Sequence, residues 1–394
     1  MVSRKMLEFA EHSSWIRRMF EEGARLKAAH GADRVFDFSL GNPDLPPPPE
    51  FGRVLQAVAA DEAPGIHGYM PNSGYPWVRE AVARRIAREQ QTAVGADDII
   101  MTCGAAGGLN IVLKALLDPG DEVIVLAPFF VEYHFYIDNH GGVCRVVETG
   151  EDFHLDLQAI EEAIGPRTKA LIINSPNNPS GRIYPEPDLR QLGAVLARAE
   201  SRHGCRVCLV ADEPYRRLVY DGLEVPSIFN AWPRSIVVSS SSKDLSLPGE
   251  RIGLVAVNPE IEQRGPLLAA LNLANRILGF VNAPALMQRV VAQLQEVGVD
   301  IAIYARRRRL FCEILQREGY ELNPPDGAFY LFPKSPLADE TEFVRLLAAE
   351  RVLAVPGRGF GRPGYFRLAF CVEDRVIEGA AAGFAAAMVK VHNR

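Results

Sequence analysis

The sequence is poor in the features that mark metal-binding, secreted or membrane proteins. Its 394 residues include six cysteines, and only Cys205 and Cys208 form a CxxC pair. No second pair and no histidine cluster accompanies them, so a zinc site is not expected. The pair runs into Val207-Cys208-Leu209-Val210 and reads as buried strand thiols rather than a redox centre. No apolar run approaches membrane-spanning length. The N-terminus carries Arg4, Lys5 and Glu8 with no apolar stretch behind them. No secretory signal is expected, and a reducing, cytoplasmic location follows as the default. Lysine and arginine number 43 against 49 acidic residues, for a formal charge of −6. No basic block suggests a nucleic-acid or membrane-surface partner. The run Arg306–Arg309 sits in a helical pattern and reads as a solvated or anion-facing helix surface. Internal repeats and low-complexity tails are lacking too.

What is present is a strand-and-helix alternation. Apolar, β-rich runs recur at Ile99–Thr102, Val123–Ala127, Val143–Val147, Ala170–Asn174, Val207–Ala211, Ile236–Ser239 and Ile252–Val257. Most are continuous rather than alternating, which suggests strands covered on both faces. Helical patterns such as Gly108–Leu117 and Pro187–Glu200 lie between them, so a mostly parallel sheet with helices on both sides is expected. Pro46–Pro49 reads as a linker from an N-terminal arm. After Pro284 the pattern changes to a long helical segment, Ala285 to about Gln316. Phe329–Phe332, a helix near Thr341–Glu350, Phe366–Phe370 and an Ala-rich terminal helix follow. The expected division is an arm contributing to the small domain (1–48), a large domain (49–284) and a small α+β domain (285–394). A chain of this length is too long for one simple core.

The polar residues of interest stand at strand ends, where open α/β sheets place ligands. Cys103-Gly-Ala-Ala-Gly-Gly108 follows a strand and opens a helix. Its small residues would let backbone amides approach an anion, although a tight turn wants glycine too. Asn174-Ser-Pro-Asn-Asn-Pro-Ser-Gly181 holds Asn178 between two prolines, with Asn178-Pro179 a candidate cis bond. It reads as a fixed amide donor or as an ordinary Asn/Pro turn. Asp212-Glu-Pro-Tyr215 places an acid at a strand terminus, which suits a cation such as a pyridinium nitrogen or a simple strand cap. Ser239-Ser-Ser-Ser-Lys243, with Arg251 downstream, offers hydroxyls and a guanidinium for phosphate. A lysine beside a second cation also becomes a nucleophile toward an aldehyde. Arg367, inside Tyr365-Phe-Arg-Leu-Ala-Phe370, needs a carboxylate partner, structural or from a substrate.

Taken in this order, Asn-x-Pro-x-Asn-Pro-Ser-Gly, Asp-x-x-Tyr and Ser-x-Ser-Lys-x-x-x-x-x-Gly-x-Arg-x-Gly resemble the class I/II aminotransferases of fold type I, the aspartate aminotransferase superfamily. The resemblance runs from about Val35 to the C-terminus. It implies a three-layer α/β/α domain with a mostly parallel seven-stranded sheet, a smaller α+β C-terminal domain, and pyridoxal 5′-phosphate (PLP) as cofactor. It implies that Lys243 forms the Schiff base with PLP and acts with Asp212 in catalysis, Asp212 keeping the pyridine nitrogen protonated. Asn178 and Tyr215 would bond the ring's phenolate oxygen. Arg251, Ser240, Ser242 and the backbone of Gly104, Ala105 and Ala106 would hold the phosphate. Phe130 would stack on the ring, and Tyr69 would reach the phosphate of a neighbouring subunit, which implies a homodimer with shared sites. Arg367, with Asn178 and the Gly41 backbone, would bind the substrate's α-carboxylate. The implied reaction moves an amino group between an L-amino acid and a 2-oxo acid, with the freed lysine carrying the proton.

Side-chain specificity is left open by these motifs. Counted back from Pro284, the position where dicarboxylate-specific members carry an arginine is Leu278, with Arg276 nearby. Trp15, Ile16 and Phe280 read either as an apolar side-chain pocket or as core. The Lys-Asp-Leu and Leu-Pro-Gly elements also resemble aminocyclopropane-carboxylate synthases. A lyase, and after it a racemase or decarboxylase, of the same fold is therefore the alternative. A non-catalytic regulator is a further one, disfavoured by the presence of Lys243 and Asp212.

Overall fold

A computed structural model describes residues 1–12 and 15–393. Two N-terminal helices, Arg4–His12 and Trp15–His30, precede a short strand β1 (Phe36–Asp37). The main sheet is built from β2 (Ile99–Thr102), β3 (Glu122–Ala127), β4 (Val143–Glu148), β5 (Thr168–Asn174), β6 (Cys208–Asp212), β7 (Ser235–Ser240) and β8 (Gly253–Val257). Its order is β2-β8-β7-β6-β5-β3-β4. Only β8 runs against its neighbours, antiparallel to both β2 and β7. The expected mostly parallel, seven-stranded, three-layer architecture is present. Valine, isoleucine and leucine fill both faces of the central strands because helices cover both sides. Helix Gly104–Leu116 lies close over β7 and β8, and a Cβ on Gly108 would come within 2.7 Å of Val238.

One strand departs from the expected covering. β4 is one of the two sheet edges, and Val143, Arg145 and Val146 are exposed, whereas β2 at the other edge is buried throughout. The apolar run of β4 looks like the inner strands in sequence. The long helical segment expected from Ala285 is also two helices, Ala285–Val291 and Ile301–Arg317. Gly298 lies in the gap, and the Asp300 carboxylate caps the second helix by accepting from Ala302 N–H. Met287, Val290, Val291 and Leu294 pack in the cluster that includes Val58 and Val78 under the sheet. A second core gathers Phe38, Tyr304, Phe311, Phe329, Phe343, Phe366 and Phe384. Around it stand helices Glu340–Ala349 and Asp374–His392 and the strands β9 (Tyr330–Leu331), β10 (Val352–Leu353), β11 (Val355–Pro356) and β12 (Phe366–Ala369). β1 joins this part of the chain by pairing with β10.

The arginine run is not a solvated face throughout. Arg307 and Arg308 are buried, Arg307 between Asp44 and Asp374 and Arg308 against Asp221. A helix packed on its neighbours buries whichever arginines point inward, and carboxylates nearer the surface then balance them. Cys208 is buried in β6 and Cys205 is half-buried; the six cysteines are free thiols. No described helix is long and apolar enough to cross a membrane.

Candidate active site

A cavity of about 360 Å³ opens at the C-terminal ends of β5, β6 and β7. It collects most of the residues singled out in the sequence. Gly41, Ala105, Ala106, Phe130, Asn178, Asp212, Tyr215, Ser240, Ser242, Lys243, Arg251 and Arg367 all line it. Gly104 lies just behind, where an added Cβ would meet the Arg251 guanidinium at 2.7 Å. Tyr69 is not brought in: it is 93% exposed on this chain. The Trp15 and Ile16 side chains lie outside the described residues. Phe280 packs near Gly107, Leu278 is half-buried and Arg276 is exposed, and none of the three lines the cavity.

Lys243 stands in the turn after β7, and its Nζ donates to the Gly41 carbonyl at 2.9 Å. The ammonium lies 5.3 Å from the Phe329 ring centroid and 5.8 Å from that of Tyr215. Burial lowers its pKa to about 8, and the nearby Arg367 and Arg251 push the same way. The sequence suggested that cations would do this; desolvation is the larger cause.

Asp212 ends β6. One carboxylate oxygen, Oδ2, accepts from the Tyr133 hydroxyl at 2.6 Å. The other, Oδ1, is buried without a partner. Burial drives this acid up to about 7, against the Tyr133 hydrogen bond, which lowers it. The Asn174 side chain ties β5 to β6 by donating to the Asp212 main-chain carbonyl at 2.8 Å, and it accepts from the Asn178 amide at 2.7 Å. The 178–179 bond is cis, as are 127–128 and 175–176. Asn178 Oδ1 accepts from Arg367, and its side-chain nitrogen makes no hydrogen bond to the described residues.

Arg367 sits in β12 and is 2% exposed. Its guanidinium carbon is 4.7 Å from the ring centroid of Tyr330 and 4.7 Å from that of Phe360. Its two terminal nitrogens donate to Asn178 Oδ1 at 3.1 Å and to the Ser39 carbonyl at 2.7 Å. No carboxylate of the described residues pairs with it, and Nε has no partner. Desolvation lowers even its high pKa. A buried guanidinium held by neutral acceptors and rings is short of one anion.

The phosphate side has its own geometry. Gly253 of β8 pairs with Ser240 of β7, and a Cβ on Gly253 would lie 2.6 Å from the Gly104 carbonyl carbon. That glycine lets the Gly104 turn settle against the strands, beside Ser240 and Arg251. Arg251 adopts φ 51°, a left-handed conformation that costs a non-glycine residue about 1 kcal/mol or more. Tyr136, Asn174, Pro214 and Tyr330 also line the cavity and Tyr133 stands behind Asp212, and none of the five was given a role in the sequence. Tyr330 OH lies 2.9 Å from Tyr215 OH. Asn174 opens the Asn/Pro motif itself; Tyr133 and Tyr330 sit in ordinary aromatic stretches and carried no signal.

Comparisons with known proteins give the family and the fold. The family model described as aminotransferase class I and II matches residues 33–384. A probable aspartate/prephenate aminotransferase of Thermus aquaticus is 34% identical over 91% of this chain and 92% of its own length. The crystal structure of an aminotransferase from Eubacterium rectale superposes with a TM-score of 0.96 at 38% identity and covers 100% of both chains. Aspartate aminotransferase from Thermus thermophilus, solved with maleate, gives a TM-score of 0.87 at 29% identity over 98% of this chain and 99% of its own.

Proposed function

Since this chain belongs to the class I and II aminotransferases, and is thus a PLP-dependent transaminase acting on amino acids and 2-oxo acids, we propose that the cavity beneath Lys243 is where the transfer occurs. One observation carries the assignment. A desolvated lysine faces the same cavity as two buried polar groups of opposite sign, Asp212 with Oδ1 unpartnered and Arg367 with Nε unpartnered. These are the deficits that a pyridinium nitrogen and an α-carboxylate would fill.

The residues present suit PLP. Ser240, Ser242, Arg251 and the amides at Gly104–Ala106 would hold the phosphate, and Phe130 would stack on the ring. Asp212 would face the ring nitrogen, while Tyr215 and the Asn178 side-chain amide would meet the phenolate oxygen. When bound, the cofactor supplies an electron sink for the bond broken at Cα. Everything else is done by the chain. Lys243 would hold the cofactor's aldehyde carbon through Nζ, and the free, neutral Nζ would take the proton from substrate Cα and carry it to the cofactor side. Its lowered pKa, about 8, leaves about one tenth of it neutral near pH 7, far more than an ordinary lysine would have. Arg367, within 4.7 Å of the ring centroids of Tyr330 and Phe360, would bind the α-carboxylate by its fork and fix which face of Cα is presented to Nζ. The Gly41 carbonyl holds the lysine in place between these positions.

The relatives' names bring aspartate and prephenate here as candidate donor and acceptor. Within one chain the cavity holds three cations, Lys243, Arg251 and Arg367, and each already has a role. Leu109, Phe130, Tyr136 and Tyr330 supply the remaining surface. We therefore take neutral side chains to be accepted at least as well as aspartate. Single amino acids added to the PLP-loaded enzyme test this. Loss of the bound aldehyde's visible absorption, without added oxo acid, names each donor; ammonia release without that loss overturns transamination in this cavity.

A homodimer with shared sites is part of the same proposal. The exposed Tyr69 lies in a loop tied to helix Arg264–Ile277, since Asn275 donates to the Asn72 carbonyl and Asn72 to that of Val281. Leu273 and Ile277 of that helix are exposed apolar side chains. Sedimentation of an active monomer would overturn the dimer. An arm, a large domain and a small domain are proposed as before, except that the boundary drawn at 284 and 285 moves toward Val299, because Met287, Val290, Val291 and Leu294 pack in the sheet's core. Six free thiols fit a reducing compartment, and the cytoplasm is proposed on that basis.

A further inference from the structure

We propose that Tyr133 is a positioning residue that keeps Asp212 ionised toward the ring nitrogen of PLP; this rests on the reading of Asp212 given above. The geometry is specific. Asp212 is a buried acid with no backbone amide on its carboxylate, and Asn174 serves its main-chain carbonyl only. Among the described residues, the Tyr133 hydroxyl is its sole donor, at 2.6 Å. Because that bond goes to Oδ2, Oδ1 is the oxygen left for the cavity.

Tyr133 is 2% exposed, in helix Glu132–Asn139, and its ring meets the edge of Phe130 at a centroid distance of 5.6 Å and 84°. The aromatic proposed to stack on the cofactor thus shares one support with the acid proposed to face its nitrogen. The other titratable groups around Asp212 are Tyr136 on the same helix, and Glu213 and Tyr215 in the turn after β6. Glu213 opposes ionisation, and its charge is taken up by Arg216 at 2.8 Å. The two other tyrosines offer Asp212 no hydrogen bond. Burial and the neighbouring carboxylate hold the Tyr133 hydroxyl well above its ordinary pKa, so it remains a donor throughout the neutral range.

One proton is shared between the ring nitrogen and Asp212. With the tyrosine donor present it stays on nitrogen, and the pair is pyridinium and carboxylate. Without that donor, the N–H bond breaks and an O–H bond forms on Asp212. The result is a neutral pair with no change in net charge. Electron withdrawal from Cα weakens accordingly, while the carboxylate grip of Arg367 is untouched.

The test uses PLP labelled with 15N in the ring, loaded into wild type, Tyr133→Phe, Tyr133→His and Asp212→Asn. In Tyr133→Phe the ring nitrogen signal moves from the protonated toward the neutral pyridine range. kcat falls roughly tenfold, the scale of one hydrogen bond to a charged group, and KM for the amino donor stays within about twofold. Tyr133→His keeps a donor and recovers part of both. An unmoved nitrogen signal in Tyr133→Phe overturns the proposal if Asp212→Asn does shift it. If Asp212→Asn leaves it unmoved as well, the reading of Asp212 falls and this inference with it. Should Tyr133→Phe fold poorly, the histidine variant decides: a nitrogen signal fully in the neutral range there, with a donor in place, rejects the role.

Discussion

Gly41 and Tyr330 stand so close that a methyl group on Gly41 would fall 2.0 Å from the Tyr330 hydroxyl. Tyr330 in turn pairs with Tyr215 and covers Arg367, while the Gly41 carbonyl receives Lys243. The contact therefore fixes the segment 39–44 against the catalytic lysine and the carboxylate site at once. Gly41→Ala must push either that segment or Tyr330 aside. Turnover should fall by about a hundredfold, as expected for reacting groups misplaced by about an ångström. Steady-state kinetics with the amino donor check this, and far-UV circular dichroism should be unchanged.

Lys243 is neutral above about pH 8. Mixed with PLP, the cofactor-free protein should capture the aldehyde at a rate that rises about tenfold per pH unit below that value and levels above it, since only the free amine attacks. Stopped-flow absorbance gives the profile. Lys243→Ala should leave no covalent adduct after borohydride reduction and should lose at least about 10²-fold in turnover.

Asp212 makes stability and function pull in opposite directions. Its folded pKa, about 7, lies above the ordinary aspartate value of 3.8. Between those values the folded state holds a proton that the unfolded state has lost, so stability falls as pH rises from about 4 to about 7. The cost is present in full above that window. Asp212→Asn removes it. Without cofactor, the variant should melt at a higher temperature than wild type at pH 8 and show little difference at pH 4. Its transaminase activity should nonetheless collapse. Thermal melts at the two pH values and one activity assay suffice.

Arg367 presents a planar fork that lysine cannot reproduce. Arg367→Lys loses the second donor and the fit between Tyr330 and Phe360. kcat/KM for the amino donor should drop by about 10²-fold or more, mostly in KM, because each lost hydrogen bond is to a charged group. Reactivity toward an amine of the same skeleton lacking the carboxylate should hardly change. An equal loss for both compounds would show that Arg367 does not meet the carboxylate.

The local order of much of the chemistry was legible in the sequence because three of its motifs stand at the ends of parallel strands. Asn174, Asp212 and Ser240 close β5, β6 and β7, and neighbouring parallel strands bring such ends to one edge wherever the intervening helices fall. The valine, isoleucine and leucine runs gave the strands themselves, since a strand covered on both faces must be apolar throughout. Composition could not tell β4 from its inner neighbours, because being an edge depends on what stands beside a strand. The break between Ala285–Val291 and Ile301–Arg317 was hidden by residues that suit a helix on either side.

Tertiary structure alone decided which groups lack partners. Tyr133 meets Asp212 across 79 positions of chain, and Arg367 meets the Ser39 carbonyl across 328. No local pattern records such pairings. The sequence determined by itself that an acid, an asparagine and the turn carrying Lys243 would face a common edge, whereas Arg367, in β12 of a separate sheet, is brought there by tertiary structure. Folding determined that Asp212 keeps one oxygen free and Arg367 one nitrogen free. It also left Lys243 desolvated enough to lose its proton near pH 8. Those are properties of burial, and burial is set by what every other residue of the chain packs against.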